Sequence, residues 1–448
     1  MRSLLRYIRS FYLKNRLFVV LMINVLMFIL GYFFPLFIIL AQFMLAVVIA
    51  MVIVDTLLLY RSAVRTITAV RSIPEKLSNG DQNRIIIFLK NFYPMTVGVN
   101  VIDEIPVQFQ VRDFRIATRL KAGEEKQFEY SLRPLERGVY TFGKLNVFIS
   151  GRIGFVSRRF VFDKDVSVPV YPSFIQMRKY EMLAISDKLT ESGVKKIRKI
   201  GHQMEFDQIR DYVSGDDYRT VNWKATARRA KVMVNQYMDE KSQQVFSVID
   251  MGRVMKMPFE GLSLLDYSIN STLVLSNIAL MKHDKAGLIT FSKDIHTVLP
   301  PLRGKIQVLK FLEVLYNQKT DFSEPDYEKL CIYIKRKISQ RSLILLYTNF
   351  ESFVSLERQI EYLKLIARKH VLVVIFFRNT EIRKLQYTRA QSLENIYINT
   401  IAEKADYEKR MIVKELMKHG IFSILTEPSN LTINTLNRYL EFKARGMF

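Results

Sequence analysis

The sequence predicts a multidomain chain: an N-terminal α-helical transmembrane hairpin, a β-sandwich-like domain, and an α/β doubly wound domain. Three observations carry this reading. Between Arg16 and Arg61 the only charged side chain is Asp55. From Pro74 to Pro172, short segments rich in Val, Ile and Phe alternate with turn residues. From residue 243 onward, apolar runs of strand length alternate with stretches of helical periodicity. The boundaries that follow are 1–73 for the anchor, 74–172 for the β-domain, 173–242 for a linker with a charged segment, and 243–448 for the α/β domain.

The uncharged stretch is too long for one membrane span and right for two of about 20 residues each. Gly31-Tyr32-Phe33-Phe34-Pro35 supplies the break, with turn formers and with aromatics suited to a headgroup boundary. Helices are expected near Leu17–Gly31 and Leu36–Tyr60. Arg2, Arg6, Arg9, Lys14 and Arg16 precede the first, and Arg61, Arg65 and Arg71 follow the second. The positive-inside rule then places both termini in the cytoplasm, as a multi-pass membrane protein. A cleaved signal peptide fits less well, because the apolar stretch is too long and lacks a small-residue cleavage site. Asp55, close to the inner end of its helix, reads as an interfacial carboxylate, with an intramembrane functional role as the alternative.

Composition agrees with a folded chain: 49% apolar and 25% charged residues. The single cysteine, Cys331, excludes an internal disulfide and reads as a small core residue. The formal net charge of +24 points to contact with a polyanion, and for an anchored protein the anionic bilayer surface is the simplest one. Zinc-finger spacing, a basic recognition helix and an RNA-binding aromatic signature are all missing from the sequence, so nucleic acid is not an expected partner.

In the β-domain the predicted strands are Asn83–Lys90, Thr96–Ile102, Val107–Arg112, Lys126–Leu132 and Lys144–Ile149, separated by turns at Asn79-Gly80, Ala122-Gly123 and Arg137-Gly138. No His, Asp or Glu cluster with ligand spacing falls here, so a scaffold or interaction module is expected.

The most unusual stretch runs from Glu205 to Arg229. It holds the only tryptophan, Trp223, and a near-balanced set of acids and bases. Ser214-Gly215-Asp216 reads as a tight turn, and Asp216 or Asp217 as the cap of a short helix through Trp223 and Ala227. Arg210 and Arg219 are placed to bridge nearby carboxylates. Two readings compete: a cross-braced ion-pair network with Trp223 as a packing anchor, or a functional surface, either for docking or as a carboxylate site for a metal or phosphoryl group. The structural or docking reading is favoured because the many local bases would neutralise these acids. The run Gly215-Asp216-Asp217-Tyr218-Arg219, followed by Asn222-Trp223-Lys224-Ala225-Thr226-Ala227-Arg228 and preceded by Glu205 and Arg210-Asp211-Tyr212, closely resembles the signature of a bacterial family known as domain of unknown function 58. The resemblance extends to the layout of anchor, β-domain, signature and α/β domain. It implies a von Willebrand factor type A-like C-terminal domain and a MoxR-type AAA+ ATPase as partner. It implies no established biochemical activity.

Independently of that likeness, Val245–Asp250, Ala286–Phe291, Ile295–Leu299, Ser342–Tyr347, Val371–Phe377 and Ile421–Leu425 read as strands. Ser263–Met281, Lys305–Tyr316, Leu356–Arg368, Ala402–His419 and Leu431–Lys443 read as helices. Ligand sites on such sheets lie at the carboxyl ends of the strands. Type A domains can hold Mg²⁺ there through an Asp-x-Ser-x-Ser motif, a Thr and a later Asp. This chain instead reads Asp250-Met251-Gly252-Arg253-Val254, lacks both serines, and has Thr348-Asn349 at the later strand end. Asp250, Thr348 and Asn349 are thus the residues of a degenerate site, expected to be metal-free and not a working one, and no other cofactor is implied. The five histidines, among them His202, His283 and His296, are scattered and show no ligand spacing.

No Walker loop, nucleophile elbow or zinc motif is present. A non-enzymatic adaptor that brings a MoxR-type ATPase and a client protein to the bilayer is the leading expectation. Metal-dependent hydrolysis or phosphoryl transfer around Asp216 and Asp217 is the second, and salt-sensitive binding of anionic lipid or nucleic acid the third.

Overall fold

The computed structural model describes residues 9–61, 66–163, 165–185, 193, 205–238, 243–379 and 393–448. They form two compact units, Met1–Tyr171 and Pro172–Phe448.

The first unit opens with a short strand, β1 (Phe11–Leu13), and two consecutive apolar helices, α1 (Asn15–Gly31) and α2 (Pro35–Tyr60). Pro35 starts α2 where a missing N–H costs nothing. Helix α2 is long and apolar enough to cross a membrane, whereas α1 has 17 residues and is shorter. The two helices pack closely. Asn24 donates its amide to the Ala41 carbonyl at 2.9 Å, and a Cβ at Gly31 would meet Ile38 at 2.6 Å. In an apolar setting such a hydrogen bond satisfies the amide donor of the buried Asn24.

Ten further strands follow: β2 (Ile67–Ser72), β3 (Leu77–Ser78), β4 (Asn83–Asn91), β5 (Val97–Asp103), β6 (Arg115–Leu120), β7 (Glu125–Leu132), β8 (Gly138–Phe142), β9 (Leu145–Ser150), β10 (Val156–Phe162) and β11 (Val166–Tyr171). They form sheets of order β1-β10-β9-β5-β6, β2-β4-β7 and β3-β11-β8. All pairings are antiparallel except β3 with β11. Alternate side chains of β2, β4, β5 and β9 meet in one buried cluster, as period-2 patterning requires. Strand β2 lies ahead of Pro74, inside what the sequence assigned to the anchor. Val107–Arg112 is not a strand: Val107–Phe109 forms one 3₁₀ turn and Gln110 is left-handed at φ 55°. Pro106 lacks the N–H a ladder needs and its carbonyl accepts from Phe109; Val107 is 88% exposed, while Phe109 packs from the turn against Tyr140 and Phe142.

Asp55 is where helix and sheet meet. Its carboxylate is fully buried and Oδ2 accepts from the backbone N–H groups of Phe155 and Val156, both at 3.0 Å. At the helix end, the Leu59 carbonyl accepts from Tyr93 and Arg158, each at 2.9 Å. Arg158 also lies over the Tyr60 ring. The carboxylate is therefore a structural tie between α2 and the start of β10, a more specific role than an interfacial charge.

The second unit is built on a six-stranded sheet of strands β14 (Gln244–Asp250), β17 (Lys285–Phe291), β18 (Ile295–Leu302), β19 (Leu343–Tyr347), β20 (Val371–Phe377) and β21 (Phe422–Thr426), in the order β18-β17-β14-β19-β20-β21. A short antiparallel pair, β15 (Pro258–Phe259) and β16 (Leu262–Ser263), lies between β14 and β17 in the chain. The strands are parallel except for β18. Two apolar clusters occupy opposite faces. Val245, Ile249 and Leu288 turn to one, with helices Leu264–Met281 and Leu431–Ala444; Phe246, Val248 and Ile289 turn to the other, with Tyr327–Lys337. Both faces being covered explains why the strands read as continuous apolar runs. Helix Leu264–Met281 starts with a full capping box between Ser263 and Asp266. The helix Tyr327–Lys337 escaped the sequence reading, and Leu356–Arg368 resolves into Phe353–Glu357 and Ile360–Ala367. Ahead of the sheet, the expected linker contains a helix, Phe174–Ile185, and an antiparallel pair, β12 (Glu205–Asp211) and β13 (Met233–Met238).

Removing the Asp55 carboxylate should strand two buried N–H donors, at roughly 1–3 kcal/mol each. Asp55→Ala is expected to lower the thermal unfolding midpoint of the detergent-solubilised chain by several degrees. Gly151→Ala should do so too, because its Cβ would clash with Asp55 Oδ1. If both act on one joint, the double variant loses less than the sum of the singles.

Candidate functional site

Two places in the second unit gather the residues singled out by sequence. The first is the charged signature between β12 and β13. Asp216 accepts from both terminal nitrogens of Arg210, at 2.8 and 2.7 Å, and from the Val213 N–H at 2.9 Å. This two-pronged bond holds the Asp216 carboxyl below the usual carboxylate range. Gly215, at φ 112°, makes the turn that brings Asp216 back to Arg210. Asp217 caps the 3₁₀ turn Tyr218–Thr220 through the Arg219 N–H, at 3.0 Å. The cap of helix Trp223–Arg229 is Asn222, which accepts from the Ala225 N–H at 3.1 Å and reaches Asn235 of β13 at 2.8 Å. The expected capping by Asp216 or Asp217 is thus displaced by one turn, since Asp216 is already held by Arg210.

Trp223 does not pack into the interior of the described structure; it is 74% exposed, as is Tyr218, and Tyr212 is exposed too. Among the described residues, Arg219, Lys224 and Arg228 form no ion pair, although Arg219 lies over the Tyr218 ring at 5.8 Å. Glu205 pairs with Met238 through its backbone. The signature therefore splits into an internal brace, Arg210 with Asp216, and an outward face of aromatic and cationic groups.

The second place is the carboxyl edge of the sheet between β14 and β19. Here the connection order reverses: the chain runs from β14 to β17 and β18 on one side, then returns to β19, β20 and β21 on the other. Asp250, Thr348 and Asn349 come together there, as the sequence placed them. Asp250 is fully buried; Oδ1 accepts from the Gly252 N–H and Oδ2 from the Thr348 hydroxyl, both at 2.7 Å. Thr348 in turn lies 2.7 Å from the Tyr327 hydroxyl. Burial, only partly offset by these bonds, pushes the Asp250 carboxyl up to about 6. Asn349 accepts from the Lys409 ammonium at 2.8 Å, and Lys409 also donates to the Phe350 carbonyl. Burial lowers the Lys409 ammonium to about 8. Tyr327 and Lys409 were not singled out by sequence, for each comes from a helix distant in the chain.

A cleft of about 130 Å³ opens over this edge, lined by Asp250, Arg253, Ser323, Glu324, Tyr327, Thr348, Asn349, Glu351, Ser355 and Arg358 among others. The donor set does not fit a divalent cation. Both Asp250 oxygens are taken by protein donors, an ammonium holds Asn349, and the serine positions of the metal motif are Gly252 and Val254. Among the described residues, no group of three or more His, Cys, Asp or Glu is placed to hold a metal.

Nearby, Ser292 contacts both His296 Nε2 and Asp321, while His296 Nε2 lies 3.3 Å from Asp321. Serine and aspartate meet the same ring nitrogen and Ser292 is buried, so the trio is a clasp between the β17–β18 turn and the 321–323 loop and lacks triad geometry. His370 is buried with its ring pushed down to about 4 by burial; His283 takes a left-handed φ of 65°, and His202 lies outside the described residues.

Comparison with known proteins bears on the same region. A family model described as protein of unknown function DUF58 matches residues 208–412, from within β12 through β14–β20 and into the helix Leu393–Lys418, short of β21. This segment belongs to the DUF58 family. The DUF58 match thus includes both places described above. The uncharacterized protein YeaD of Bacillus subtilis is 26% identical over 183 residues, which are 39% of this chain and 45% of YeaD. The chain therefore spans less than half the length of that relative. Among solved structures, a CARDB domain from Pyrococcus furiosus is 16% identical, covers 23% of this chain and 86% of its own, and has a TM-score of 0.17. Proximal thread matrix protein 1 of the mussel byssus is 8% identical, covers 45% of this chain and 47% of its own, and has a TM-score of 0.26. Neither likeness is close enough to inform function.

The Asp250 carboxyl gives a pH test. Its folded value, about 6, lies above its ordinary 3.8, so between these the folded chain holds a proton the unfolded chain releases. Stability should therefore fall as pH rises from about 4 to about 6 and level off beyond, by an amount on the order of 3 kcal/mol. An amide at this position can keep the Gly252 bond with its oxygen and donate to Thr348, which then donates to Tyr327. Asp250→Asn should therefore remove this pH dependence in thermal unfolding measured from pH 4 to 7.5.

Proposed function

We propose that this chain is a membrane-anchored, non-enzymatic adaptor that docks a MoxR-type AAA+ ATPase and a client protein at the bacterial inner membrane. Helices α1 and α2 form the membrane hairpin in this reading, with both termini cytoplasmic because the flanking cations lie outside the two helices. The six-stranded sheet with helices on both faces is the von Willebrand factor type A-like domain, working without a metal. The observation that carries the docking assignment is the outward face of the signature: Trp223 and Tyr218 exposed beside Arg219, Lys224 and Arg228, none of them in an ion pair among the described residues. A large aromatic left in water adds little to folding, while exposed Trp, Tyr and Arg are the side chains that anchor protein interfaces.

The enzymatic alternative has less support. A carboxylate that is to bind metal or take a proton must be available, and Asp216 is held by Arg210 and Val213. Binding of anionic lipid would draw on the same cations but gives no role to the brace that shapes the segment. Nucleic acid is not assigned as a partner.

Detergent-solubilised chain and the MoxR-type ATPase from the same organism are expected to co-elute on size exclusion with ATP present. Trp223→Ala and Lys224→Glu should each weaken the complex at least tenfold while leaving the unfolding midpoint within a degree. Absence of a complex with the unaltered chain, in either nucleotide state, would remove the adaptor reading.

A further inference from the structure

The cleft between β14 and β19 has a chemistry that the adaptor reading does not use. Open α/β sheets bind ligands where the connection order reverses, because the loops leaving the two central strands part there. In this sheet that point carries two guanidinium groups, Arg253 after β14 and Arg358 after β19, and both line the cleft. Neither makes an ion pair or a side-chain hydrogen bond among the described residues. The acids around them are not equivalent. Asp250 is closed off by Gly252 and Thr348. Glu351 interacts electrostatically with the Lys409 ammonium, with no ion pair between them among the described residues. Glu324 and Glu351 both line the cleft with the two guanidiniums.

We propose that this cleft receives an oxyanion, a carboxylate or a phosphate group, through Arg253 and Arg358. A planar guanidinium presents paired N–H donors that match two oxygens of either group, and such charge-assisted bonds are stronger than neutral ones. The size of the cleft suits a single side chain or headgroup fragment, so the anion enters as the end of a larger ligand or as a small one. The cation that receives it is built into the chain, which removes any need for a metal to bridge ligand and protein.

The test uses the full chain in detergent, titrated with glutarate and, separately, with inorganic phosphate, at ionic strength held constant with sodium chloride. One of the two anions is expected to raise the unfolding midpoint saturably and to give a matching calorimetric isotherm, and the arm that binds more tightly names the source. Arg253→Gln and Arg358→Gln should each weaken that binding at least tenfold without changing the midpoint in the absence of anion. Glu324→Gln should tighten it several-fold, and Lys224→Gln, on the signature face, should leave it unchanged. The proposal is overturned if neither anion acts saturably, or if the Arg253→Gln/Arg358→Gln double variant binds as well as the unaltered chain. Loss of ATPase docking in Trp223→Ala does not touch this result, so the two readings fail separately.

Discussion

A carboxylate with no water around it must find its partners within the protein, and Asp250 sets the carboxyl edge of the sheet in this way. It ends the central strand β14, and its oxygens bind Gly252 of the following turn and Thr348 at the end of β19. Those bonds join the two strands between which the chain reverses its winding. They also fix the direction in which the 251–253 turn and the 348–350 turn leave the sheet. Tyr327 and Lys409 complete the arrangement from outside the sheet. Arg253 and Arg358 sit on the loops this arrangement holds apart, so the cleft follows from how one buried acid is satisfied.

The first unit solves a related problem with Asp55. There the buried acid is matched to two backbone donors at the start of β10. Tyr93 and Arg158 add bonds to the Leu59 carbonyl, one of those a helix leaves open at its C-terminal end. Helix α2 therefore ends in a lattice of hydrogen bonds to the sheet.

Much of this was legible in the sequence wherever burial forces a pattern. The parallel strands announced themselves as apolar runs, and the long uncharged stretch marked the N-terminal helices. Asp250, Thr348 and Asn349 could be placed together because Asp250 ends one strand, Thr348 and Asn349 follow another, and the resemblance to type A domains pairs those two strand ends. The helix Tyr327–Lys337 carried a usable signal, with Tyr327, Leu330, Cys331 and Ile334 on one buried face and Asp326 as its cap. Strands β12 and β13 carried none, because charged and polar residues interrupt the pattern and the buried Met233 and Val234 are consecutive, not alternate. Lys409 and Tyr327 could not be assigned to the edge from sequence, since their approach depends on how whole helices pack. For Trp223, a lone tryptophan in a charged segment fits burial and exposure equally, and only the fold separates them.

The tie between Asp55 and β10 has a mechanical meaning. A helix joined to its extramembrane domain by a flexible linker can tilt freely to suit bilayers of different thickness. Helix α2 is fastened to a sheet at three neighbouring points, Asp55, Leu59 and Tyr60, so its lean and rotation belong to the β-domain. If α2 crosses a bilayer, any misfit between its apolar length and the hydrocarbon must be taken up by the lipid or by the Tyr32–Phe34 end. The orientation of the first unit against the membrane plane then becomes a property of the folded protein, independent of membrane composition.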